Sequence, residues 1–257
     1  MIDYHSHSIY SDGKNTYHET LNRAINKNLK EFGFSDHLCI YYPDWAIKKE
    51  NFQNLINEII KIKSRKDLPI EIKFGLEVDY IENREDEIQK CMELFPLDYV
   101  IGSVHYVGNW NFDTKSNGYR SKDINEFYKE YYRLIQKAAR SGLFDIMGHI
   151  DVVKKFNYFP SFDLNTIYEQ TAKVFSESNV VIEFNTSGKD KPCKEFYPSR
   201  EFLQHCYNHD VPVTLGSDVH RAKDVARYFP EALEKLKLIG YTQLASFTNR
   251  ERKFLDF

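Results

Sequence analysis

His5-Ser6-His7-Ser8-Ile9-Tyr10-Ser11-Asp12-Gly13 stands almost at the start of the chain, and how it is read decides how the rest must be folded. In an extended strand alternate side chains share a face, so His5 and His7 point together and can grip one ion while Ser6 points away. Asp12 follows in a Ser-Asp-Gly turn. Taken alone, the same pattern suits a surface strand with two spare histidines. The test is whether other segments bring similar groups to the same place.

They recur in a regular rhythm: a short apolar run, a metal-binding type of residue at its end, then a helical stretch. Thr16 and Glu19 form a capping box ahead of Leu21, Ala24, Ile25 and Leu29. Residues 31–37 read as one strand delivering His37. Phe52 to Ile60 read as a helix stopped before Pro69, and 70–79 as a strand carrying Glu77. Residues 98–105 end on His105, and the Asn- and Gly-rich stretch 109–120 reads as a long loop near the site. A helix through Phe127 and Ala138 stops at Gly142, and the strand after it leads to His149. A helix through Leu164 and Phe175 precedes a strand over 180–184. Ser199 caps the next helix, and 211–215 form a seventh strand leading to Asp218 and His220. The last helical region, 224–240, is expected to break around Pro230, and 244–257 to add an edge strand.

In a parallel βα barrel the C-terminal strand ends meet on one face, so such residues become neighbours. The convergent set is His5, His7, Asp12, His37, Glu77, His105, His149, Asp218 and His220. Imidazole and carboxylate without thiolate suit catalytic zinc, manganese or iron, and nine groups exceed the needs of one ion. Two or three divalent transition metal ions sharing a bridging carboxylate are therefore expected, with Glu77 as the bridge. His18 lies in the capping box, and His205 and His209 share a helix face away from any strand end; these three are read as ordinary surface or packing groups.

Composition agrees with a single folded domain over 1–257. Hydrophobic residues make up 42% and charged residues 28%, far from the profile of disorder. A net charge of -3 provides no general attraction to nucleic acid or anionic membrane. The four scattered cysteines form no paired motif. No signal peptide and no run of about 20 apolar residues is present, so a cytoplasmic monomer or small homo-oligomer is the expectation.

Together these residues resemble the PHP (polymerase and histidinol phosphatase) superfamily: H-x-H-x-x-x-x-D-G at His5 to Gly13, then His37, Glu77, His105, His149 and the S-D-x-H of Ser217 to His220. The resemblance implies a distorted (β/α)7 TIM-like barrel with a trinuclear centre. One ion would take His5, His7, Glu77 and Asp218, the second Glu77, His105 and His149, and the third Asp12, His37 and His220. Gly102 to Tyr106, Gly148 to Asp151, and Glu183 to Gly188 with Tyr197-Pro198 look like the stand-alone histidinol-phosphate phosphatases.

The implied chemistry is attack of metal-activated water on the phosphorus of a small phosphate ester, L-histidinol phosphate. Asp218 or His220 would protonate the leaving alkoxide. Lys154 or Lys155, Lys189, Arg200 and Arg221 are candidates to clasp the phosphate. Trp45, Tyr106 and Trp110, with Asp113 or Glu183, are candidates for the amino-imidazole end. Two alternatives remain open: a nuclease or general phosphoesterase on the same centre, and a non-catalytic metal-binding barrel.

Overall fold

The computed structural model describes residues 1–257. In chain order its elements are β1 (Ile2–Asp3), α1 (Tyr17–Asn26), β2 (Glu31–Phe34), β3 (His37–Leu38), α2 (Phe52–Lys63), β4 (Glu71–Asp79), α3 (Glu85–Met92) and β5 (Tyr99–Ser103). A small hairpin, β6 (Tyr106–Val107) and β7 (Trp110–Asn111), precedes α4 (Ile124–Arg140), β8 (Ile146–Met147), α5 (Asn165–Glu177) and β9 (Val181–Asn185). The chain ends with α6 (Arg200–Asn208), β10 (Val213–Gly216), α7 (Phe229–Ile239), β11 (Gln243–Thr248) and β12 (Glu251–Asp256).

The main sheet runs β1-β2-β4-β5-β8-β9-β10, every pair parallel, with β3 beside β4. Its two edges meet: the Tyr4 N–H donates to the Leu215 carbonyl at 3.2 Å, and the Val219 N–H to the His5 carbonyl at 3.0 Å. The result is a nearly closed barrel of seven strands with helices outside, the expected architecture. Its strands are largely buried on both faces because one face lines the interior and the other meets helices. Tyr99 fills the interior, stacked on Tyr4 at 4.7 Å and donating its hydroxyl hydrogen to the Tyr4 carbonyl at 2.6 Å.

Several local expectations hold. The Thr16–Glu19 capping box forms, Gly142 takes φ +72 just past α4, and Ser199 caps α6 through the Phe202 N–H. Others change. The strand expected over 31–37 is interrupted at Ser35-Asp36, where both carbonyls face the Glu77 N–H at 3.2 Å. The register is the same on both sides of this break, Phe34 opposite Phe74 and His37 opposite Glu77, so His37 stands level with Glu77. Pro230 starts α7 rather than breaking it, because its missing N–H costs nothing in a first turn. Within 109–120 the chain forms β7 and a 3₁₀ turn over Ser116–Ser121.

The C-terminal stretch is not an edge strand of the barrel. β11 and β12 form their own antiparallel hairpin, turned at Asn249 and Arg250, both at positive φ. Its contacts fall on the starts of the barrel strands: Ser246 donates to Glu31, Thr248 meets the Lys73 ammonium at 2.7 Å, and Arg250 pairs with Asp145 at 2.5 Å. Leu244, Ala245 and Phe247 are buried there. The hairpin thus plugs the N-terminal end of the barrel, leaving the C-terminal end open.

Candidate metal centre

At that open end all nine predicted ligands come together. The Glu77 carboxylate, 1% exposed, is the hub. Its Oε2 lies 2.9 Å from His37 Nδ1, 3.1 Å from His5 Nε2 and 3.5 Å from His7 Nε2. Its Oε1 lies 2.8 Å from His149 Nε2 and 3.7 Å from His105 Nε2, and accepts from the Ser103 hydroxyl at 2.7 Å. Asp218 reaches His7 at 3.3 Å and His220 at 3.2 Å, while Asp12 reaches His220 at 3.2 Å and His37 at 3.6 Å. The donor atoms fall into four overlapping groups with metal-binding spacing: His7-Asp12-His37-His220, His5-Glu77-His149, His5-His7-Asp218 and His37-Glu77-His105.

The donor set fits divalent ions. His5 Nε2, both nitrogens of His7, His37 Nδ1, Asp12 Oδ1 and Glu77 Oε2 are buried without a hydrogen-bond partner, a concentration that a folded core does not tolerate without a ligand. Burial opposes positive charge here, yet the carboxylates outweigh it. Glu183, Glu77 and Asp218 lift His5 well above its ordinary pKa, Glu77 lifts His37, and Asp79 lifts His105 to about 10. Burial, with His37 and His220 beside it, pushes His7 down to about 3. Burial likewise opposes ionisation of Glu77 and Asp218, but the surrounding imidazoles hold both well below the usual carboxylate range. The arrangement favours bound positive charge.

Two carboxylates orient ligand rings. Glu183 accepts from His5 Nδ1 at 2.7 Å and from the His149 N–H at 2.9 Å, and Asp79 faces His105 Nδ1 at 2.9 Å. Each fixes the tautomer that leaves Nε2 free toward Glu77. Gly216 makes room for this, since a Cβ there would sit 1.8 Å from Glu183 Oε1. Asp36, in the break between β2 and β3, accepts from the Ser8 N–H at 2.7 Å and from the Ser11 and Tyr17 hydroxyls, holding the turn that carries Asp12. Asp218 sits at φ +52 and accepts from the Ser187 hydroxyl at 3.0 Å. Such conformations concentrate at functional sites.

The open side of the centre is a cleft of about 350 Å³. Trp45, Asp113, Lys155 and Lys191 line it with seven of the nine predicted ligands, all but His5 and His7. Lys155 pairs with Asp113 at 2.7 Å, and Asp113 Oδ1 is buried without a partner.

The other expected substrate contacts do not line this cleft. Lys189 and Arg200 line a different cavity, and Lys189 is paired with Glu231. Arg221 is exposed beside the cleft rather than lining it, and Tyr106 packs on Tyr41 at 5.9 Å. Trp110 packs among Phe112, Tyr119 and Phe127. Lys154 is buried between Asp151 and Glu195, and Glu183 is consumed by His5 and His149. Sequence reasoning missed Asp79, although its position two residues beyond Glu77 puts it on the same face of β4. It also missed Lys191, which nothing in the loop's composition singles out.

Comparison with known proteins agrees with this geometry. The PHP domain family model matches residues 3–187. A probable histidinol-phosphatase of Deinococcus radiodurans is 32% identical over 247 residues, spanning 93% of this chain and 94% of that one. A histidinol-phosphatase of Bacillus subtilis is 27% identical over 248 residues, with 86% and 92% covered. The crystal structure of the Lactococcus lactis histidinol phosphate phosphatase, solved with zinc, L-histidinol and phosphate, superposes with a TM-score of 0.84 at 26% identity, covering 98% of each chain. With the family's model matched across most of the barrel and relatives matched end to end, the chain belongs to the PHP domain family.

Proposed function

We propose that this protein is a metal-dependent phosphomonoesterase that hydrolyses L-histidinol phosphate to L-histidinol and phosphate. The observation that carries the reading is one buried carboxylate, Glu77, within 3.7 Å of five imidazoles at the open end of the barrel. It is supported by relatives of matching length, one a histidinol-phosphatase and one a probable histidinol-phosphatase.

In this reading His5, His7, Glu77 and Asp218 hold one ion, Glu77, His105 and His149 a second, and Asp12, His37 and His220 a third. Bound divalent ions supply Lewis acidity toward the phosphoryl oxygens and lower the pKa of water at the site. Glu183 and Asp79 keep His5 and His105 in the ligating tautomer. Lys155 and Lys191 meet the phosphate, and Asp113 meets the ammonium of the amino alcohol. Trp45, edge-on to His37 at 4.9 Å, provides an aromatic wall for the imidazole. Asp218 or His220, both facing the cleft, would take up the proton released by the attacking water and pass it to the departing alkoxide oxygen.

A small monoester suits the cleft better than an oligonucleotide. Two lysines, one of them already paired with Asp113, make no basic track for a polyanion. The test is kcat/KM for L-histidinol phosphate beside other phosphomonoesters and a short oligonucleotide, with Asp218→Asn as the contamination control. Histidinol phosphate should lead by orders of magnitude and the variant should be inactive. A lead by the oligonucleotide or a generic ester would reject the substrate.

A further inference from the structure

A second cavity, of about 220 Å³, lies behind the metal cleft. Its floor is apolar: Phe184 from β9, Phe196 from the following loop, Leu203 from α6 and Ile239 from α7, all buried. Its rim carries Lys189, Lys194, Arg200 and Lys235 against two carboxylates, Glu195 and Glu231. Both carboxylates are engaged. Glu231 pairs with Lys189 and, at 3.9 Å, with Lys235, while Glu195 pairs at 2.8 Å with Lys154, which lies outside the cavity. No carboxylate comes within ion-pair distance of Lys194 or Arg200. The Lys189 and Lys235 ammonium groups stand 5.5 and 5.9 Å from the centre of the Phe196 ring, holding positive charge over an aromatic floor.

The cavity shares no lining residue with the metal cleft. The segment from Ser187 to Ser199 is the wall between them. Ser187, Lys191 and Tyr197 face the metals' side, while Lys189, Lys194, Phe196 and Pro198 face the other. An apolar pocket whose rim carries two cations without a carboxylate partner, Lys194 and Arg200, selects a ligand with an apolar body and a negative head. We propose that this cavity is a second ligand site, for a small organic anion: a carboxylate, sulfonate or phosphonate on an apolar ring or chain.

The test uses the full chain, metal-loaded, with saturating orthophosphate to fill the metal cleft. Phenylacetate and benzenesulfonate are titrated by ligand-observed NMR beside acetate and benzyl alcohol, which carry only the charge or only the ring. Saturable binding is expected at about 1 mM or tighter for the two aryl anions, and about tenfold weaker for each half-ligand. The double variant Lys194→Ala/Arg200→Ala should bind them about tenfold more weakly while hydrolysing its substrate as wild type does. Leu238→Glu, which adds an acid at the exposed rim, should weaken them as well. Unchanged affinity in both variants, displacement by orthophosphate, or no saturation up to about 10 mM would overturn the proposal.

Discussion

Glu183 offers a perturbation that leaves every ligand in place and asks only whether ring orientation matters. Its carboxylate is 1% exposed, and each oxygen accepts one hydrogen bond, from His5 Nδ1 at 2.7 Å and from the His149 N–H at 2.9 Å. Glutamine keeps the shape but has one acceptor for these two donors. If its amide nitrogen faces the His149 N–H, two buried donors oppose each other at a cost of about 1–3 kcal/mol. If it faces His5 Nδ1 instead, the imidazole must move its proton to Nε2, the atom 3.1 Å from Glu77. That lone pair is then lost to a metal. Either arrangement costs about 1.4–2.7 kcal/mol of metal binding, a 10- to 100-fold weakening. Titration of chelator-stripped Glu183→Gln against a competing metal indicator, with kcat/KM at fixed free metal, measures it. Affinity and activity within about twofold of wild type would refute the orienting role.

Asp79→Asn frees the His105 tautomer by the same logic and should weaken metal binding about tenfold, read in the same titration. Phe247→Ala empties a buried place in the hairpin plug and should cost about 3–5 kcal/mol in denaturant unfolding. Glu82 is held by Arg133 at 2.7 Å and by Lys137, which push its pKa down from 4.5 to about 2. A depressed carboxylate stabilises the fold fully above its unfolded value and loses that contribution as pH falls. Glu82→Gln should therefore cost about 1 kcal/mol at pH 7, with the difference from wild type shrinking between pH 4.5 and 2. Chelation should lower Tm, and added zinc or manganese should restore it in a concentration-dependent way.

The barrel and its centre were legible because their signals are local and repeated. Each strand is a short apolar run, and each ligand sits at its end, so the order His5, His37, Glu77, His105, His149, Asp218 maps onto the rim directly. What stayed hidden depends on three-dimensional placement. Lys189 and Lys191 lie two residues apart in one polar loop, yet a 3₁₀ turn over Ser187–Asp190 sends one behind the wall and the other into the cleft. The break between β2 and β3 at Ser35-Asp36 has neither glycine nor proline to mark it. The terminal hairpin turns on Asn249-Arg250, where arginine occupies a positive-φ position that glycine usually signals. Asp79, by contrast, could have been found from the strand's period of two alone.

The most direct measurement is phosphate release from L-histidinol phosphate by chelator-stripped protein as zinc, manganese or iron is added in equivalents, with Glu77→Gln alongside. Activity should be absent without metal, rise to a plateau at two or three equivalents, and stay absent in the variant, whose hub carboxylate is gone. Turnover by the stripped protein, or a plateau unchanged in Glu77→Gln, would contradict a phosphatase built on this centre.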